Sequence, residues 1–160
     1  MNKSSVIGFL RRVPDPEVPA LNIVDLGIVR DVLLEGDSVE VVITPTYSGC
    51  PAMQVIEENI VSVLREQGIE KVQLKTVLSP AWTTDWLSDE AKTKLREYGI
   101  APPQKRQGEI DILTEESVAV NCPHCGSSRT VQKSFFGSTA CKALYVCSDC
   151  KEPFDYFKPF

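Results

Sequence analysis

Two Cys-x-x-Cys pairs near the C-terminal end constrain this chain most: Cys122 and Cys125 in CPHCG, Cys147 and Cys150 in CSDC. Two residues between cysteines let both thiolates of a tight turn face one ion, and two such knuckles complete a tetrahedral four-sulfur site. The 21 residues between the pairs suffice for two strands and a loop, slightly beyond the usual window of about 15–20. The pattern points to a structural zinc ribbon with Cys122, Cys125, Cys147 and Cys150 as ligands. An iron–sulfur cluster also accepts four thiolates and is the alternative occupant. Two disulfides would suit a secreted chain. MNKSSVIGFL, however, is too short an apolar run for a signal peptide, and no later segment is long enough to span a bilayer. A cytoplasmic location with reduced thiols and no membrane partner is therefore expected.

Length and charge narrow the rest. The chain has 160 residues, 42% hydrophobic and 24% charged, which allows one soluble domain plus a small module. Residues 1–117 hold 12 Lys/Arg against 19 Asp/Glu, a net of −7, and residues 118–160 hold 5 against 3, a net of +2. An acidic body argues against nucleic acid as a partner, because phosphate contacts need clustered cations.

Periodicity places an α+β domain over residues 1–100, a linker over 101–117 and the ribbon over 118–160. Ser4 and Ser5 can cap a short helix ending at Leu10. Three prolines in Pro14–Pro19 then impose a rigid extended loop. Residues 28–34 and 38–44 read as a hairpin with Val39, Val41 and Ile43 on one face. The loop TPTYSGCP leads into a helix with Pro51 at its first position. Met53, Ile56, Ile60, Val63 and Leu64 form its apolar stripe, and Gly68 is its stop. Val72, Leu74 and Leu78 give a third strand, and Ser88–Tyr98 a second, more polar helix. Trp82 and Trp86 are expected to anchor that helix. APPQKRQG marks the linker. Arg129–Phe135 and Lys142–Val146 are the ribbon strands. Four of the chain's 12 aromatics, Phe154, Tyr156, Phe157 and Phe160, fall in the last seven residues and read as a docking element.

Outside the ribbon, Cys50 is the candidate thiol. At a helix N-cap, backbone N–H groups and the helix dipole would favour a thiolate that ligates metal or attacks an electrophile. A buried cysteine that packs as a small hydrophobe is the other reading. Asp15, Glu17 and Asp25 form an acidic set on or beside the proline loop. They suit a hard-ligand or partner surface near Cys50, or turns and caps made by the carboxylates locally. His124, the single histidine, sits inside a knuckle and reads as solvent-facing. Cys141 reads as core packing. No catalytic set can be assembled.

DPEVP, NIVDLGIV and TPTYSGCP resemble the iron–sulfur assembly domain family that includes SufT and the MIP-type targeting factors. TPTYSGCPA, LSPAWTTDWLS, CPHCGS and SFFGSTACKALYVCSDCKEPFDYFK are similar to the PaaD family, from about Asp15 to Lys158. The resemblance implies a small three-stranded α+β domain followed by a zinc-ribbon module, and a functional role for Cys50. It also implies a non-catalytic accessory subunit of phenylacetyl-CoA epoxidase, the di-iron ring monooxygenase system of phenylacetate degradation. Such a subunit would assist maturation or assembly of metal cofactors. Its partners would be the di-iron oxygenase or the iron–sulfur reductase of that system. An iron–sulfur electron-transfer subunit of the same system is the competing function.

Overall fold

The computed structural model of the chain describes residues 2–104 and 119–160. Two compact units run Met1–Ala91 and Lys92–Phe160.

In the first unit, helix α1 (Lys3–Leu10) is capped by Asn2, whose side chain accepts the Ser5 N–H at 2.8 Å. The cap therefore falls earlier than Ser4 or Ser5. The proline loop folds back on itself. Asp15 N–H donates to Leu21 O at 2.9 Å and Ile23 N–H to Val13 O at 3.1 Å. Val13, Val18, Leu21 and Ile23 are all buried, so the loop is a plug of the core and not an extended strap. Strands β1 (Val29–Glu35) and β2 (Ser38–Ile43) pair antiparallel, and β3 (Lys71–Thr76) pairs parallel to β2. The order is β1-β2-β3.

A parallel pair needs a crossover, and α2 (Ala52–Glu66) supplies it. Val39, Val41 and Ile43 are fully buried on one face of β2, as the alternation predicts. The buried stripe of α2 is Ala52, Ile56, Ile60 and Leu64, one strict four-residue row, while Met53 and Val63 are half-buried. Gly68 adopts φ +81°, the left-handed stop expected for the helix. Trp82 is buried, and its indole N–H donates to Leu26 O at 2.9 Å. Trp86 lies beneath the Arg30 guanidinium, 3.5 Å from the ring centroid. Gly27 (φ +78°) fits beside it, since a Cβ there would approach Trp86 Cβ to 3.2 Å. Helix α3 (Asp89–Glu97) starts where the Ser88 hydroxyl accepts the Ala91 N–H at 3.0 Å.

The second unit holds β4 (Ile100–Ala101), β5 (Thr130–Ser134), β6 (Lys142–Cys147) and β7 (Pro153–Phe157) in the order β4-β7-β6-β5. The expected ribbon strands are β5 and β6. The aromatic tail differs from expectation. It forms β7, an inner strand between β4 and β6, and Phe154, Tyr156 and Phe157 are 4%, 3% and 1% exposed. Phe154 and Tyr156 pack on Tyr145, with ring centroids 5.8 and 5.5 Å away. An inner strand buries its side chains, so these three residues form core rather than a docking surface. Residues 92–100, placed in the first domain by periodicity, lie within the second unit, where Ile100 and Ala101 pair with β7. Of the expected linker, residues 105–117 lie outside the described ones.

Replacing Ile60 by alanine removes a fully buried side chain and should cost about 2–5 kcal/mol in denaturant unfolding. Val63→Ala, at a half-buried position beside it, should cost clearly less.

Candidate functional site

The two knuckles repeat one local geometry. Gly126 N–H donates to Cys122 O at 2.9 Å, and Lys151 N–H to Cys147 O at 3.1 Å. The residue after each second cysteine is left-handed, Gly126 at φ +76° and Lys151 at φ +66°. Glycine takes this conformation freely, whereas lysine pays roughly 1–2 kcal/mol for it. These turns bring the sulfurs together. Cys122 Sγ is 3.7 Å from Cys150 Sγ, Cys125 Sγ is 3.6 Å from Cys147 Sγ, and all four lie within 4.8 Å of one another.

Zinc–sulfur bonds of about 2.3 Å give a tetrahedron with edges of about 3.8 Å, so the donor set fits zinc. Sulfurs at these separations are far outside disulfide bonding, about 2.05 Å. The Cys147 thiol is brought down to about 7, first by the Cys150 amide and then by the neighbouring thiols. At Cys150 the Glu152 amide acts the same way, but burial and the three other thiols outweigh it and push the thiol up to about 12. One of these two sulfurs thus ionises at the expense of the other, and a divalent cation among them would favour the thiolate form of both. With every position filled by sulfur, the site is closed and structural. His124 is exposed. Cys141 is buried against Thr139 Oγ1 at 3.0 Å, outside the cluster.

A second group of candidates gathers at the start of α2. The N-cap is Pro51, which makes no side-chain cap bond, so Cys50 precedes the cap rather than occupying it. Its side chain is buried, with Sγ 4.0 Å from Glu17 Oε2. Tyr47 OH donates to Glu17 Oε1 at 3.3 Å. Asp15, also buried, accepts the N–H groups of Glu17 at 2.9 Å and Val18 at 2.7 Å. Its carboxylate thereby fixes the turn that presents Glu17.

The Cys50 thiol is pushed up, chiefly by burial and further by the charges of Glu17 and Asp15; the Ala52 amide and Tyr47 oppose this. The depressed thiolate expected at a helix N-terminus is therefore not found. One helix amide does not offset desolvation and two carboxylates. Cys50, Glu17 and Asp15 come together. Asp25 instead accepts from Arg11 Nη1 at 2.5 Å and Asn22 Nδ2 at 2.9 Å. Thr44 went unnoticed in the sequence. Its Oγ1 is buried and has no hydrogen-bond partner among the described residues. Its only sequence signal is its place at the head of the TPTYSGCP string that carries Cys50.

Comparison with known proteins agrees with this division. The iron–sulfur cluster assembly protein family model matches residues 3–77, and the PaaD zinc beta ribbon domain model matches residues 107–158. A protein of Escherichia coli strain K12, provisionally named as one of the subunits of 1,2-phenylacetyl-CoA epoxidase, is 48% identical over 150 residues, covering 94% of this chain and 88% of the relative. The chain belongs to the PaaD family. An Fe-S protein maturation auxiliary factor of Porphyromonas gingivalis is 34% identical over 58% of this chain and 90% of its own length. The crystal structure of a domain of unknown function from Bacillus anthracis aligns with a TM-score of 0.55 and 29% identity, over 58% of this chain and 90% of that one. Among the described residues no helix is long and apolar enough to cross a membrane.

Elemental analysis of anaerobically purified protein should find one zinc per chain; stoichiometric iron with acid-labile sulfide and no zinc would overturn that assignment. Cys122→Ser should raise hydrogen exchange across β4–β7 while β1–β3 stay protected. Lys151→Gly should stabilise the ribbon by about 1 kcal/mol, read as greater resistance to thermal unfolding. The alkylation rate of Cys50 should rise with an inflection above the ordinary thiol value. Glu17→Gln, by removing a negative neighbour, should move that inflection to lower pH.

Proposed function

We propose that this chain is a non-catalytic accessory subunit of the phenylacetyl-CoA epoxidase system that assists maturation of that system's metal cofactors. The observation that carries the reading is the Cys50 group, a buried thiol beside the carboxylates of Glu17 and Asp15, within the region matched by the iron–sulfur assembly model. In the absence of metal the carboxylates and burial keep the thiol protonated and unreactive. The same carboxylates favour an approaching cation, and metal binding then releases the thiol proton. Such a site suits transient handling of iron or a cluster as cargo. The resident zinc of the ribbon has no open position and serves the fold. The relative's name supports the client system, and the maturation-factor relative supports the kind of work.

The competing function, an electron-transfer subunit, draws on the ability of four thiolates to hold a redox cluster. It predicts a brown protein that bleaches on reduction, whereas the maturation reading predicts a colourless one.

Cys50→Ser should keep the fold and the zinc, because serine can still accept the Ala52 N–H. It should abolish growth on phenylacetate and leave the oxygenase or reductase short of metal. Full growth with fully metallated partners would sink the proposal. The purified chain should form no epoxide from phenylacetyl-CoA with any electron donor.

A further inference from the structure

Three of the four tail aromatics are buried, yet the second unit exposes a pair of rings elsewhere. Phe135 and Phe136, at the end of β5, are 59% and 64% exposed. They meet edge to face, with centroids 5.2 Å apart at 88°. The pair is not a loose loop tip. Lys158 is buried, donates from Nζ to Phe135 O at 3.1 Å, and lies 4.0 and 4.6 Å from the two ring centroids. Phe136 N–H donates to Ser134 Oγ at 3.2 Å and Gly137 N–H to Lys142 O at 2.7 Å. Ser138 Oγ donates to Asp155 Oδ2 at 2.9 Å. A Cβ at Gly137 would stand 2.7 Å from Asp155 Oδ1 and 3.3 Å from the Lys142 and Ala143 backbone, so a side chain there would have to displace Asp155. The protein thus buries a lysine to hold two phenyl rings in water. Folding does not recover that apolar area, whereas a partner would, and rigid aromatics are the usual anchors of an interface.

Charge selects the occupant. Residues 119–160 carry five cations (Arg129, Lys133, Lys142, Lys151, Lys158) against three acids (Asp149, Glu152, Asp155), a net of +2. Arg129 pairs with Asp149, Lys142 stands 4.0 Å from Asp155, and Lys158 is engaged with the rings. Lys133 is exposed two residues before Phe135, with no ion-pair partner among the described residues. So few open cations do not suit a nucleic acid or an anionic bilayer. A pairing of two copies ring pair against ring pair would bring together two stretches of net +2.

We propose that the Phe135–Phe136 pair docks into an apolar socket rimmed by carboxylates on a different protein, a component of the epoxidase system if the function proposed above holds. Lys133 pairs with the rim, which sets orientation and rate of encounter, and the rings supply the buried contact. The proposal rests on the maturation reading only for the partner's identity.

The test places a photo-crosslinking benzoylphenylalanine at Phe136 of the full-length chain in cells growing on phenylacetate. In parallel, the unmodified chain is used to retain purified oxygenase and reductase. An adduct with one of these components that falls at least about tenfold in Lys133→Glu supports the proposal. It should be recovered when an acidic residue at the crosslinked surface is changed to lysine. An adduct with a protein outside the epoxidase system, showing the same charge swap, supports the docking surface and overturns the function proposed above. Retention of a component with no adduct at Phe136, or an adduct indifferent to Lys133→Glu, overturns the docking surface and leaves the function standing. Adducts only with lipid, nucleic acid or a second copy overturn it too. With neither adduct nor retention, both fail. Zinc content and Cys50 alkylation measured on Lys133→Glu confirm that the variant is folded.

Discussion

Four sulfurs within 4.8 Å of one another hold the C-terminal unit together. Each knuckle ends a different part of the sheet. Cys147 closes β6, the Cys150 turn feeds β7, and Cys122 and Cys125 precede β5. A bridging ion therefore ties the strand ends at one point. The apolar cluster that packs against these cysteines is small: Val120, Ala143 and Ala101 around Tyr145, Phe154 and Tyr156. A small core leaves a unit of this length only marginally stable by itself. Coordination supplies the missing free energy, and the aromatic stack fixes which faces of β6 and β7 turn inward.

The first unit depends on a different constraint. β2 and β3 are parallel, so the chain must return across the sheet, and α2 makes that return over the buried face of Val39, Val41 and Ile43. The loop from Thr44 to Cys50 lies between the end of β2 and the start of this helix. Strand and helix together fix both of its ends, and the Asp15 turn fixes Glu17 against the result. A thiol held in this way is protected by its own surroundings. Burial and negative charge suppress the thiolate, and the same negative charge favours a cation. Reactivity conditional on metal is what the proposed handling of iron requires, since a free low-pKa thiol would oxidise first.

Both cysteine sites contradict simple local rules in instructive ways. A helix N-terminus by itself predicts a depressed thiol, yet Cys50 is raised, because desolvation and two carboxylates act on the same atom as one amide. A left-handed turn by itself predicts glycine, yet Lys151 occupies one of the two knuckle positions. In each case a constraint from elsewhere in the fold overrides the local preference.

Much of this protein was legible in the amino-acid chain. The Cys-x-x-Cys spacing singled out the four cysteines whose sulfurs gather within 4.8 Å of one another, because two thiolates two residues apart leave little choice of geometry. The alternation of Val39, Val41 and Ile43 and the four-residue row through Ile56 and Ile60 placed the first core, since burial imposes those periods. Other features required the tertiary structure. Periodicity cannot say whether EPFDYFK is a surface tail or an inner strand; the pairing of β7 with β4 and β6 decided that. It cannot say that Asp25 would meet Arg11 while Glu17 would meet Cys50, because partners 14 and 33 residues apart are chosen by how the proline loop folds back. Nor can it say that of seven aromatics in residues 118–160, Phe135 and Phe136 would be the pair held outward. Only the buried lysine beneath them shows it.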